Sequence, residues 1–159
     1  MASPDRPFHY EIAPVDPSEY EEIVTVWEAS VRATHDFLPE AMIDYFRPLI
    51  LNEYLAAVTL ASIRTRDGQI VGFLGTAGHR IEMLFVHPEF HRRGIGRSLL
   101  QHAIDVQEVT EVDVNEQNPG AISFYQRMGF EQYARSETDG QGNPFPLLHM
   151  RRPASAPQS

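Results

Sequence analysis

The 159-residue sequence carries a formal net charge of −9, thirteen arginines, and neither lysine nor cysteine. This composition excludes Schiff-base and Walker A chemistry, which need lysine, and also disulfides, thiolate metal sites and cysteine nucleophiles. The longest uncharged run, Gly68 to His79, has twelve residues, short of the ~20 of a membrane helix, and the acidic balance argues against nucleic-acid binding.

Met1-Ala2-Ser3-Pro4-Asp5-Arg6 lacks the layout of a signal peptide, so a soluble, cytoplasmic protein with no membrane contact is expected. Residues 8–13 read as a first strand ended by Pro14. Pro17 opens a helix in which Tyr20, Ile23, Val24, Trp27 and Val31 form a one-sided stripe. Pro39 starts a second helix with Met42, Ile43, Phe46, Leu49 and Ile50, and Pro48 inside it is a kink signal. Runs 58–65 and 70–76 read as a hairpin joined through Asp67-Gly68. Residues 80–86 form a further strand.

A helix over about 94–108 follows, with Ile95, Leu99, Leu100 and Ala103 on one face. Then come a short strand at 110–115 and a helix from Pro119 to about Met128. Residues 130–136 and 145–151 close the chain as a strand pair around a turn rich in Asp, Gly, Asn and Pro. Residues 1–152 are expected to form one domain and 153–159 a disordered tail. The order β-α-α-β-β-β-α-β-α-β-β defines an α/β (α+β) domain with a mostly antiparallel front half.

Charge is unevenly placed. Six acids and no base lie between Glu11 and Glu28, whereas Arg92, Arg93 and Arg97 lie in an acid-free stretch from Phe90 to Ile104. That stretch joins a strand to a helix through Gly94-Ile95-Gly96. Taken alone, Gly-x-Gly is a tight strand-to-helix connection. With three arginines at a helix start, whose first N–H groups lack internal partners, it favours an anion, specifically a phosphate. Leu99 stands where a dinucleotide fingerprint needs its third glycine.

Asn118-Pro119-Gly120-Ala121-Ile122-Ser123-Phe124-Tyr125-Gln126-Arg127-Met128-Gly129-Phe130 reads by itself as a capped structural helix. His87 and His91 are separated by Pro88, and no His-Glu-x-x-His occurs, so no metal site is expected. Leu100 breaks the nucleophile-elbow pattern around Ser98.

Together the two segments resemble the GNAT superfamily of acetyl-CoA-dependent N-acetyltransferases. His91-Arg92-Arg93-Gly94-Ile95-Gly96 follows the family's Gln/Arg-x-x-Gly-x-Gly/Ala loop except at its first position. Asn118, Ala121, Tyr125, Gly129 and Phe130 follow its second pattern in full. Segments 30–38, 113–118 and 144–148 are similar to a bacterial YjaB-like subgroup. The resemblance implies a single GNAT-type domain with a mixed central sheet of about six to seven strands and flanking helices. It also implies transfer of acetyl from acetyl-CoA directly to a primary amine of a small molecule or peptide, by a monomer or homodimer.

By the same resemblance, Leu84, Phe85 and Val86 would run beside the pantetheine arm. The pyrophosphate would rest on the loop Arg92, Arg93, Gly94, Ile95, Gly96 and Arg97, helped by Ser98, and Asn118 would touch the cofactor or serve only as a cap. Tyr125 would be the general acid for the departing thiolate, or else a packed core tyrosine. Glu82 is the candidate base, sharing strand parity with Leu84 and Val86; the alternative is a strand acid paired with Arg80. Trp27, His35, Asp36 and Phe37 lie where the family builds acceptor pockets. Trp27 also fits the apolar stripe; His35-Asp36 could orient or deprotonate the amine, which leaves the base open between Glu82 and His35, and Asp36 could instead cap the second helix. The acidic first helix would suit a cationic acceptor. Two other readings are a non-catalytic acyl-CoA-binding sensor module and a nucleotide-binding α/β protein.

Overall fold

A computed structural model describes residues 10–153. The first strand's expected start at residues 8–9 and all of the expected tail except Pro153 lie outside the described residues. Seven strands form one sheet in the order β1-β2-β3-β4-β5-β7-β6. These are β1 (Tyr10–Pro14), β2 (Thr59–Thr65), β3 (Ile70–Ala77), β4 (Arg80–Val86), β5 (Glu111–Asn115), β6 (Glu131–Ser136) and β7 (Leu147–Arg151). Only β4 and β5 pair in parallel; β1 to β4 form an antiparallel meander, and β7 joins β5 and β6 antiparallel.

Helices α1 (Tyr20–Thr34) and α2 (Glu40–Leu49) cover one face, and α3 (Ile95–Gln107) and α4 (Pro119–Arg127) the other. A strand covered on both faces must be apolar throughout, and in β3 every residue from Ile70 to Thr76 is buried. Ile23, Val24, Leu55 and Phe73 fill the α1 side, and Leu99, Leu100, Phe130 and Met150 the other. Each such side chain contributes about 1.5–3 kcal/mol by leaving water. Pro48 has no N–H for the helical ladder, and α2 gives way to a wide turn over Ile50–Tyr54.

Gly72 sets how close α3 comes to the sheet. A Cβ there would lie 3.1 Å from Ile63 Cγ2 and 3.2 Å from Ile95 Cγ2. A side chain there would have to displace these methyl groups and the Phe85 carbonyl by a few tenths of an ångström. Glycine therefore suits the close approach of the first turn of α3 to β3, which places the basic loop before α3 at the end of β4.

The acids near the first helix serve the fold rather than a ligand. Arg64 holds Glu19 with two hydrogen bonds, of 2.5 and 2.9 Å, and keeps that carboxyl down to about 2. Glu28 pairs with Arg32 and Arg47, and Glu22 accepts from the Ile70 N–H. The expected attraction of this helix for a cationic acceptor is therefore corrected for these residues, since their charges are already met by arginine or backbone. Among the described residues no helix is long and apolar enough to cross a membrane.

Candidate functional site: two cavities at diverging strands

Strands β4 and β5 are hydrogen-bonded only at Arg80↔Glu111 and Ile81↔Val112, then part. The cause is local. Thr76 pairs with Ile81 and Gly75 with Met83, so Glu82 is an extra residue in β4 with no partner on β3. Such a bulge bends and twists the strand that carries it. From Met83 to Val86 the edge of β4 facing β5 has no ladder to β5. Apart from the Val86 carbonyl, which accepts from His91, a polar backbone edge is thereby left available to an extended ligand.

The bulge also breaks the alternation of side chains. Ile81, Leu84 and Val86 lie with the α3–α4 core, while Met83 and Phe85 face the α1 side. Glu82 lines a cavity with Met83 and Phe85. The parity expectation, which grouped Glu82 with Leu84 and Val86, is corrected: one inserted residue moves Glu82 to the other face.

On the α3 side, a cavity of about 670 Å³ is lined by Val86, His91, Arg92, Gly94, Gly96 and Arg97 among others. Gly94 has φ +75° and precedes α3 without a side-chain cap, leaving the first N–H groups of the helix unpaired within it. Arg92 holds φ 64°, a left-handed conformation that costs a non-glycine residue roughly 1 kcal/mol or more. Arg93 stacks over Phe90, 5.1 Å from the ring centroid, and it and Ser98 are outside this lining. The His91 Nε2–H donates to the Val86 carbonyl at 3.1 Å, so His91 ties the loop to the end of β4. Backbone donors, an open glycine turn and arginines fit a pyrophosphate.

Sequence reasoning missed Phe124, Arg127 and Met128, which α4 adds to this cavity. Arg127 carried a usable signal. It is a fourth arginine within the two segments that resemble the family, beyond the three of the loop.

The second cavity, about 550 Å³, lies on the α1–α2 face. Trp27, His35, Phe37 and Phe85 line it, and Trp27 also packs in the α1-side core. Asp36, expected beside them, is exposed, lines neither cavity and does not cap α2, whose N-cap is Pro39. The loop between β6 and β7 closes the far side with Asp139, Gln141 and Phe145, residues the sequence reading did not single out. The walls are mostly apolar. Among the described residues the carboxyl groups of the lining are those of Glu82 and Asp139, with no arginine. Burial pushes the Glu82 carboxyl up, opposed by Arg80 and reinforced by Asp113.

His35 sits at the end of α1, where its tautomer can be derived. The Thr34 hydroxyl donates to Ser30 O at 2.8 Å, so Thr34 Oγ1 accepts from His35 Nδ1–H, also at 2.8 Å. His35 Nε2 is then the acceptor, with Asn118 Nδ2 at 3.5 Å. Burial lowers the pKa of His35, consistent with a neutral ring. Asn118 Oδ1 meanwhile caps α4 through Ala121 N–H at 3.2 Å. This contact links the cavity to the start of α4 across 83 residues of sequence.

Tyr125 is 7% exposed and packs edge-on against Phe124 and Phe130, with centroids 5.1 and 5.5 Å away. Burial pushes its phenol well above the ordinary value. It belongs to the core and lines neither cavity, and the same is true of Leu84, which packs against that core from a half-buried position.

Parallel strands that part beside a basic glycine loop, with a carboxylate-bearing cavity on the opposite face, place an anion site and an acid–base site on the two sides of one strand. Residues 59–132 match the acetyltransferase (GNAT) domain family. Over 135 residues the chain is 37% identical to peptidyl-lysine N-acetyltransferase YjaB of Salmonella typhimurium, covering 85% of this chain and 92% of the relative. The solution structure of apo YjaB from Escherichia coli superposes with a TM-score of 0.82 at 34% identity, covering 92% of this chain and 99% of that one. PaiA N-acetyltransferase from Thermoplasma acidophilum, solved in complex with coenzyme A, shares the fold with a TM-score of 0.69 at 21% identity, covering 90% of this chain and 99% of that one. The chain belongs to the GNAT acetyltransferase family and is an acyltransferase.

Proposed function

We propose that this protein transfers acetyl from acetyl-CoA directly to the ε-amine of a lysine side chain within a peptide, both substrates being bound together. The observation that carries the reading is the pairing of cavities on opposite faces of β4, which the neighbours Phe85 and Val86 separate. The basic cavity suits a pyrophosphate, and the open edge of β4 suits an amide-bearing arm running between the strands. The apolar cavity suits the four methylenes of lysine, with carboxylates for its ammonium and no arginine to repel it. The names of the YjaB relatives from Salmonella typhimurium and Escherichia coli, peptidyl-lysine N-acetyltransferases, support the same acceptor. Acetyl-CoA supplies the thioester carbonyl.

A lysine ammonium of pKa ~10.4 must lose a proton before nitrogen can attack, at a cost of about 4–5 kcal/mol at pH 7. Glu82 receives that proton, directly or through a water. As the C–N bond forms, the C–S bond breaks with its electron pair leaving on sulfur, and the second proton of the nitrogen passes to solvent to leave the neutral amide. Tyr125 packs in the core outside both cavity linings, beside Phe124 of the basic cavity. Its part in this step is therefore confined to its hydroxyl, which would donate a hydrogen bond to that sulfur; solvent completes the protonation. His35, neutral and held by Thr34 and Asn118, shapes the passage between cavity and cofactor edge.

Incubating the protein with acetyl-CoA and lysine-containing peptides, and reading peptide mass, tests the acceptor. The expected result is one added acetyl per reactive lysine, with peptides acetylated faster than free lysine or spermidine. Turnover confined to free amines would overturn the peptide reading.

A further inference from the structure

Beyond the cavity, the α1-side face of the sheet continues as a polar chain across three strands. Asn115 and Leu147, a cross-strand pair of β5 and β7, line the cavity. The next pair on the same face is Asp113 and His149. Asp113 uses both carboxylate oxygens: Oδ2 accepts from Arg80 Nη1 at 2.5 Å and Oδ1 from His149 Nδ1 at 2.6 Å. A carboxylate can only accept, so His149 Nδ1 carries a hydrogen. Ser136 Oγ lies 2.6 Å from His149 Nε2 and closes the chain on β6. These are the contacts of a nucleophilic triad, but Ser136 lines neither cavity and Asp113 is shared with Arg80. The arrangement serves Arg80 instead.

We infer that Asp113, fixed by His149, is a positioning residue that holds the Arg80 guanidinium on β5 and so leaves Glu82 free to accept the proton of the acceptor amine. The inference rests on Glu82 being the base. Arg80 is two residues from Glu82 on β4, and its charge acts on the Glu82 carboxyl. Asp113 both neutralises Arg80 and repels charge from Glu82. Glu111 takes a second share of Arg80 at 3.6 Å and accepts from Tyr133 OH. The other titratable groups facing the cavity are His35 from the end of α1, Tyr54 from the turn after α2 and Asp139 from the β6–β7 loop. None of these three bonds Arg80. Without Asp113, Arg80 would hold Glu82 in its ionised, less basic form.

The two charge variants must act in opposite directions. In kcat/KM against pH, Asp113→Asn is expected to move the acid limb down by about half a unit or more, since a negative neighbour is lost and Arg80 is released. Arg80→Gln is expected to move it up by a similar amount, and Arg80→Lys to restore the wild-type position. His149→Ala is expected to move it as Asp113→Asn does, by less. A merely structural role would lower activity in each variant without opposite displacements. Should Asp113→Asn not fold, the upward shift in Arg80→Gln and its rescue by lysine still decide the matter. Glu82→Gln is run alongside. If it removes the acid limb while the Arg80 and Asp113 variants leave that limb in place, the inference is overturned. If it retains the limb, the base assignment itself is overturned.

Discussion

Glu82→Gln is expected to lower kcat/KM for amine acetylation by about 10²- to 10⁴-fold near pH 7, the range a positioned general base contributes. The wild-type rate should fall as pH drops through the Glu82 pKa, which burial in the cavity wall holds above the ordinary carboxylate value of 4.5. Glutamine removes that limb. The rise at alkaline pH should persist, because it reflects the acceptor losing its own proton. Stability should move the other way. A raised carboxylate pKa means that the fold disfavours the ionised form, so ionised Glu82 lowers stability above its unfolded pKa. At pH 8 the variant should therefore melt at or slightly above the wild-type temperature. A thousandfold slower enzyme with an unchanged or higher Tm separates chemistry from folding. Loss of activity together with a lower Tm would point to a structural role for the bulge residue.

Tyr125→Phe is expected to lower kcat by about 10- to 10³-fold with acetyl-CoA affinity unchanged. Burial places the phenol further above its ordinary value of 10, whereas the conjugate thiol has a pKa of ~8.5. Full proton transfer to the sulfur is therefore uphill. On the proposed mechanism the hydroxyl would act as a donor only, and a hydrogen bond to developing negative charge is strong where water is excluded. The ring supplies most of the packing against Phe124 and Phe130 and is retained in phenylalanine. Removing a hydroxyl that makes no hydrogen bond among the described residues should leave stability within about 1 kcal/mol. Steady-state kinetics with isothermal titration of acetyl-CoA reads both quantities. An unchanged kcat would assign Tyr125 to the core alone.

Local chemistry made much of the fold legible. Asp67-Gly68 announced the β2–β3 hairpin, the strand at 80–86 coincides with β4, and Asn118-Pro119 marked the start of α4. The basic loop was equally visible, because glycines and arginines at a strand–helix junction have few other uses. Features set by partners distant in sequence were not legible. The bulge at Glu82 exists only as a count against β3, so alternation along β4 alone put Glu82 on the wrong face. The Asp113–His149 contact depends on the β5–β7 register, and that between His35 and Asn118 on two helix ends brought together by the sheet. The acids near α1 misled for a related reason. Arg64 comes from a strand 45 residues beyond Glu19, and nothing near Glu19 in sequence announces it.

The proposed transfer depends on acetyl-CoA binding at the loop before α3 and the open edge of β4. Thermal unfolding with acetyl-CoA, CoA, NAD and ATP tests it most directly. At ~100 times Kd a ligand adds about 2.7 kcal/mol, which for a chain of this size raises Tm by roughly 5–10 °C. That rise is expected with acetyl-CoA and CoA, and little with the other two. No rise at millimolar acetyl-CoA, or an equal rise with NAD or ATP, would contradict it.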